Sequence, residues 1–186
     1  MYNEGQAKLY YLYMMSDEDV SENEKKIFLS ICKELYIDED DMKRIIEECE
    51  DVCEREDITC IDILEENAEK GYDSQTINLN LCKYESDKDK STILWNLVNL
   101  GFADKAFSFD EREVVKFLCE YWEVKDSIYN EMIDVAETIL VLEEKKNWLE
   151  KTLPESDEKR AKLRQIKKDI KYVQKTIETT ISEMDN

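Results

Sequence analysis

With only 3 glycines and 1 proline among its 186 residues, this chain has few places to turn tightly. All-β architectures need frequent tight turns and the residues that make them. Their scarcity directs the chain to helices, which need punctuation only at their ends. Hydrophobic residues make up 42% of the sequence, enough to build a core, and the 39% that are charged supply solvated helix surface. The length suits one domain with a real core, or a core with an appendage.

An internal repeat organises the first three quarters. Sliding the sequence by 87 positions lays residues 9–53 on 96–140. Asp17, Ser21, Glu24, Cys32, Ile46 and Glu50 then meet identical residues at 104, 108, 111, 119, 133 and 137. Conservative matches fill the gaps: Val20 with Phe107, Ile27 with Val114, Ile31 with Leu118, Leu35 with Trp122 and Ile37 with Val124. Each copy reads as a lead-in helix followed by two amphipathic helices. In copy one, Ile27, Phe28, Ile31, Cys32 and Leu35 share one face; Met42, Ile45, Ile46, Cys49, Val52 and Cys53 form a second stripe. Between them "YIDEDD" breaks the pattern, and Asp40 or Asp41 is positioned to cap the next helix. In copy two the stripes are Val114, Val115, Leu118, Cys119, Trp122 and then Tyr129, Met132, Ile133, Ala136, with "EVKDS" as the break. The lead-in helices are "AKLYYLYMM" and "STILWNLVNLGFA", and "TCIDILEENAEK" predicts a helix between the copies. Residues 71–90 alternate like a strand at Ile77, Leu79 and Leu81 but are expected to form a turn or loop with a short helix.

The residues that enter each copy form a motif. Ser21-x-x-Glu24 and Ser108-x-x-Glu111 fit the capping box, in which Ser accepts from a first-turn amide and Glu reaches back to the Ser amide. Val20 and Phe107 stand where an apolar residue can staple the start of the helix. Asp17 and Asp104 each lie seven residues before their Glu. Asp17, Glu24, Asp104 and Glu111 are thus candidate ligands for a hard cation, Ca²⁺ or Mg²⁺. The spacing is not that of an EF-hand: from Asp17 the sixth position is Glu22 and the twelfth Phe28, where Gly and Glu are required.

The order Asp-x-x-apolar-Ser-x-x-Glu between amphipathic helices, as in "ADKAFSFDEREVV", resembles the TerB-like domains associated with tellurite resistance. The resemblance covers roughly residues 5–140. Family members commonly start the turn with a small residue, Asp and Gly; here the starts are "SDE" and "ADK", without Gly. The resemblance implies an all-α, pseudo-twofold helical bundle with an acidic surface suspected of holding divalent cations. It also implies an interaction module of stress-response, membrane-surface or phage-defence settings, with no established catalysis.

Composition narrows function further. The formal net charge is −20, which repels nucleic-acid phosphates and favours cations or basic protein partners. A second reading is a nucleic-acid-mimicking acidic inhibitor that occupies a basic groove of a partner. Histidine is absent, so the usual neutral-pH proton shuttle is missing, and no GxSxG, phosphate-cradling Gly loop or HExxH occurs. The chain is therefore expected not to be an enzyme. The 6 cysteines, at 32, 49, 53, 60, 82 and 119, form no CxxC pair and read as free, mostly buried thiols of a cytoplasmic protein. No signal peptide or membrane span is expected.

After residue 142 the composition changes. Residues 1–142 carry 15 basic and 36 acidic side chains, and residues 143–186 carry 11 and 10. The expected division is a TerB-like body over 1–142 and a C-terminal helical arm over 143–186. Pro154 ends one helix and Ser156 or Asp157 caps the next. Leu163, Ile166, Ile170, Val173, Ile177, Ile181 and Met184 then advance in heptad-like steps. With Met132, Val135, Ile139, Leu142 and Leu149 they predict an antiparallel, coiled-coil-like hairpin whose first helix runs from about 127 to 152; its last helix either folds back to complete the core of the body or forms an arm for homodimerisation or partner capture.

Overall fold

The computed structural model describes residues 2–16, 20–84, 86–103 and 107–184. Among them run eight α-helices: α1 (Tyr2–Met14), α2 (Glu22–Glu34), α3 (Glu39–Glu56), α4 (Cys60–Lys70), α5 (Asp87–Gly101), α6 (Phe109–Tyr121), α7 (Asp126–Thr152) and α8 (Asp157–Ser182). The fold is all-α, as the shortage of turn residues predicts. The chain forms two compact units, Met1–Val124 and Lys125–Asn186. The boundary expected at residue 142 falls inside α7, because nothing in "VLEEKKNW" breaks the helix and the apolar stripe continues to Leu149.

In the first unit α1 is the hub. Ala7 and every residue from Leu9 to Met14 are buried, and α1 packs against α2, α3, α5 and α6. A helix apolar all round belongs in the middle of a core. Its one charged buried residue is Lys8, whose Nζ lies 2.8 Å from Glu48 on α3 and 3.2 Å from Glu4. Arg44 joins the cluster at 2.9 Å from both Glu4 and Asp41. The Arg44 guanidinium, with help from Lys8 and against partial burial, holds the Glu4 carboxyl down at about 2. The α1–α3 seam is therefore wet and charged on one edge and apolar on the other.

The repeat is visible in the backbone. α2 and α6 are both 13 residues long, start 87 positions apart and end with the same chain reversal. Ile37 N–H donates to Cys32 O and Val124 N–H to Cys119 O, each at 2.9 Å, while Tyr36 and Glu123 donate to Lys33 O and Glu120 O. These paired bonds are the Schellman motif, which satisfies the last carbonyls of a helix. It puts Tyr36 (φ 58°) and Glu123 (φ 55°) in the left-handed region. The sequence hides this turn because neither position is Gly, although the repeat records it as Cys32/Cys119 with Ile37/Val124.

α3 is capped by Asp38, whose carboxylate accepts from the amides of Asp40 and Asp41. Asp40 and Asp41, the expected caps, occupy the first turn instead, where their charge meets the positive end of the helix. The turn ends one residue after Ile37, so the earliest aspartate caps. Residues 71–84 contain two 3₁₀ turns, Gly71–Asp73 and Leu81–Lys83. Ile77, Leu79 and Leu81 do alternate inward and are buried, yet no strand pairs with them. The Asn67 side chain does that work: it donates to Ile63 O and Ile77 O and accepts from Leu79 N–H at 2.7–2.8 Å. One buried amide replaces a neighbouring strand, which sequence periodicity cannot reveal.

In the second unit α7 and α8 pack as an antiparallel hairpin. Its core is Leu149, Ile166 and Ile170, with Ile139, Leu142, Leu153 and Leu163 against it. At about 1.5 Å per residue the 27-residue α7 is roughly 40 Å long. Ser156 caps α8 through the Lys159 amide. Buried Lys159 closes the hairpin: its Nζ donates to Glu150 O and Leu153 O at 2.9 and 2.8 Å and pairs with Glu155. It thereby covers the orphan carbonyls at the end of α7.

The left-handed turn predicts a stability effect. Tyr36 is 94% exposed, so its ring contributes no packing that Gly would lose. Tyr36→Gly should raise stability by about 0.5–1 kcal/mol by relieving the left-handed strain. Thermal unfolding should show a midpoint shift of about 1–4 °C upward; a lower midpoint would show that the tyrosine ring packs.

Candidate functional site

The two entry motifs fold as capping boxes with the same dimensions. Ser21 N–H donates to Glu24 Oε2 at 2.7 Å and Glu24 N–H donates to Ser21 Oγ at 3.2 Å. Ser108 and Glu111 repeat those bonds at 2.7 and 3.2 Å. Glu24 and Glu111 are each only 2% exposed. The box explains how an acidic residue comes to lie inside: one carboxylate oxygen replaces water for an amide that the helix start would otherwise leave unpaired. At the second box the expected staple takes a particular form. The Arg112 guanidinium stands 4.6 Å from the centre of the Phe107 ring, and its Nε donates to Phe107 O. Phe107 in turn packs on Phe102 at 5.1 Å.

The charges of both capping glutamates bear on one residue of the hub helix, Tyr13. Its ring is fully buried, and its hydroxyl makes no hydrogen bond of good geometry. Burial pushes the phenol well above its ordinary value, and the carboxylates of Glu111 and Glu24 push it the same way. Tyr13 therefore stays a neutral phenol between two acidic caps. Gly101, the last residue of α5, makes room for it. A Cβ there would collide with Tyr13 Oη and come within 2.6 Å of the Phe107 ring. The Ser-x-x-Glu spacing reveals the caps, whereas nothing in the local pattern marks Tyr13 or Gly101. The signal was available only through the repeat: Gly101 falls on Met14, so the two lead-in helices differ where they pass the shared centre.

Of the four candidate ligands, Glu24 and Glu111 are brought to this centre. Asp17 and Asp104 lie outside the described residues. Among the described residues no set of three or more Cys, Asp or Glu side chains is arranged to ligate a single metal ion.

A cleft of about 390 Å³ opens nearby, between the end of α1, the α3–α4 turn and the first turns of α6. Leu12, Met15, Ile58, Ile61 and Val114 supply apolar walls; Asp57, Asp110 and Glu113 supply carboxylates; no cationic side chain lines it. Cys53 and Cys60 also face it. Burial raises both thiols above their ordinary value. They are protonated at neutral pH, and a protonated thiol is a poor nucleophile. The arrangement favours small cationic or apolar visitors over covalent chemistry. No described helix is long and apolar enough to cross a membrane.

The family model described as "Tellurite resistance protein TerB" matches residues 5–133, about seven tenths of the chain, and stops within α7. No curated protein and no solved structure gives a significant match.

The close contact at Gly101 predicts a large effect from one methyl group. Gly101→Ala should destabilise the chain by about 1–2 kcal/mol, because overpacking outweighs the gain in helix propensity. Urea unfolding should show a lower midpoint; an unchanged or higher midpoint would mean that the Tyr13 centre is loosely packed.

Proposed function

The chain belongs to the TerB family, and on that premise we propose that it is a non-enzymatic helical interaction module. In this reading it works in the cytoplasm, in a stress-response or phage-defence setting, and engages a protein partner with a basic surface. The support is the surface charge. Residues 1–124 carry 14 basic and 32 acidic side chains, and such a field attracts and orients a basic partner. The absence of histidine and the protonated cleft thiols leave no evident acid–base or nucleophilic pair.

The finer proposal is that the two entry turns bind Ca²⁺ or Mg²⁺ weakly. The observation that carries it is a buried capping glutamate at the equivalent helix start of each repeat, Glu24 and Glu111. Glu24 and Glu111 each give Oε2 to a serine amide at the start of their helix. Asp17 and Asp104 lie seven residues earlier, with Glu18, Asp19 and Glu22 nearby in the first copy and Asp110 in the second. Oxygen donors of this kind suit hard cations. A bound cation would offset negative charge at the turn and tie its start to its helix.

Isothermal calorimetry tests this directly. Titration of Ca²⁺ and Mg²⁺ into the wild-type protein should give a saturable heat. The paired substitution Asp17→Asn with Asp104→Asn should abolish it. No heat in the wild type, or equal heat in the variant, removes the cation reading and leaves the interaction module standing.

A further inference from the structure

The acidity of this chain has one exception. Between Lys159 and Lys175, α8 carries eight basic residues and one acidic residue, Asp169. Their spacing is regular. Arg160, Arg164, Lys167, Lys168, Lys171 and Lys175 advance by threes and fours, which at 100° per residue keeps them within about 100° of the helix circumference. That arc lies away from the buried seam of Ile166, Ile170, Ile177 and Ile181. All six are exposed. Arg160 pairs with Asp157 at 2.9 Å. Arg164, Lys167, Lys168, Lys171 and Lys175 have no ion pair among the described residues. Tyr172, 76% exposed, flanks the row. This stripe lies beyond residue 133, outside the part of the chain that matches the family.

α3 presents the complement. Asp40, Glu47, Asp51 and Glu54 recur at seven, four and three residues and share an arc of about 60°. All four are exposed. Asp40 and Asp51 make only solvent-exposed pairs within their own helix, with Lys43 and Arg55. Glu47 and Glu54 have no ion pair among the described residues. The acidic row, from 40 to 54, is about 21 Å long, and the basic row, from 160 to 175, about 22 Å.

We propose that the basic stripe of α8 in one copy docks along the acidic stripe of α3 in a second copy. Matched sign, length and spacing favour this occupant. An anionic membrane or a nucleic-acid duplex presents negative charge over a far larger surface than a single stripe of this length matches. A second copy offers a narrow row, and tyrosine at the margin of the stripe adds contact area of the kind interfaces favour. The contact does not rest on cation binding or on the identity of the basic partner proposed above.

Sedimentation analysis of two charge-reversed proteins tests it. One variant carries Lys167→Glu, Lys168→Glu, Lys171→Glu and Lys175→Glu; the other carries Asp40→Lys, Glu47→Lys, Asp51→Lys and Glu54→Lys. All eight positions are exposed, and Lys and Glu have similar helix propensities, so both proteins should keep wild-type helical circular dichroism. The wild type should show a mass that rises above 22.2 kDa toward at least twice that value over roughly 10–100 μM, and returns to the monomer in about 1 M salt. Each variant alone should stay monomeric. Mixed together, they should associate again, since each supplies the row the other's stripe requires. Both variants keep a negative net charge, so their overall charges cannot produce that rescue. A wild type that remains monomeric, or a mixture that fails to associate, overturns the proposal. Monomeric wild type that binds phosphatidylserine vesicles or duplex DNA through the stripe would assign it to that ligand instead.

Discussion

The first unit depends on a hydrogen-bond exchange made twice. At each of two helix starts, a serine oxygen accepts one orphan amide and a glutamate returns to accept another. In most proteins this exchange is a surface device. Here it is carried inward, so that two carboxylates 2% exposed stand beside a buried tyrosine ring. Burying a carboxylate costs several kcal/mol unless hydrogen bonds replace its water. The capping geometry provides part of that replacement, and it fixes where α2 and α6 begin relative to α1. The rest of the unit follows from those anchors: α1 fills the space between the repeats, Gly101 yields room to the tyrosine hydroxyl, and the Schellman turns close both helices at the same length.

The two ends of the chain divide the electrostatic work. The body holds a dense acidic surface and compensates it locally, at Lys8 and Arg44 on the α1–α3 seam. The hairpin draws its cohesion from an apolar seam and from Lys159, which serves the open end of α7. Its other cations face outward. A chain whose formal charge is −20 gains nothing in solubility from a concentrated basic row. The row is the surface on which the proposed contact between copies rests.

Much of this architecture was legible before any coordinates. Few turn residues, the 87-residue repeat and the Ser-x-x-Glu boxes led to a pseudo-twofold helical body, and the heptad-like steps led to the α7–α8 hairpin. What could not be read was set by single contacts remote in sequence. Asn67 substitutes for a strand partner of Ile77 and Leu79. Tyr36 and Glu123 adopt left-handed turns that glycine would have advertised. Asp38 takes the cap from its two acidic neighbours because the preceding turn ends early. The division at residue 142 followed a change in composition, whereas the compact units part at the turn after Val124. The capping half of the candidate site was thus accessible to pattern. Its centre at Tyr13 required knowing which residues the repeat brings together.

The central claim is that the two capping glutamates meet at one shared centre instead of serving two independent helix ends. A double-mutant cycle on Glu24→Gln and Glu111→Gln, read by urea unfolding, measures this directly. If both act on Tyr13, the two losses should be non-additive, with a coupling of about 0.5 kcal/mol or more. Losses that add within about 0.3 kcal/mol would show two separate caps and contradict the account.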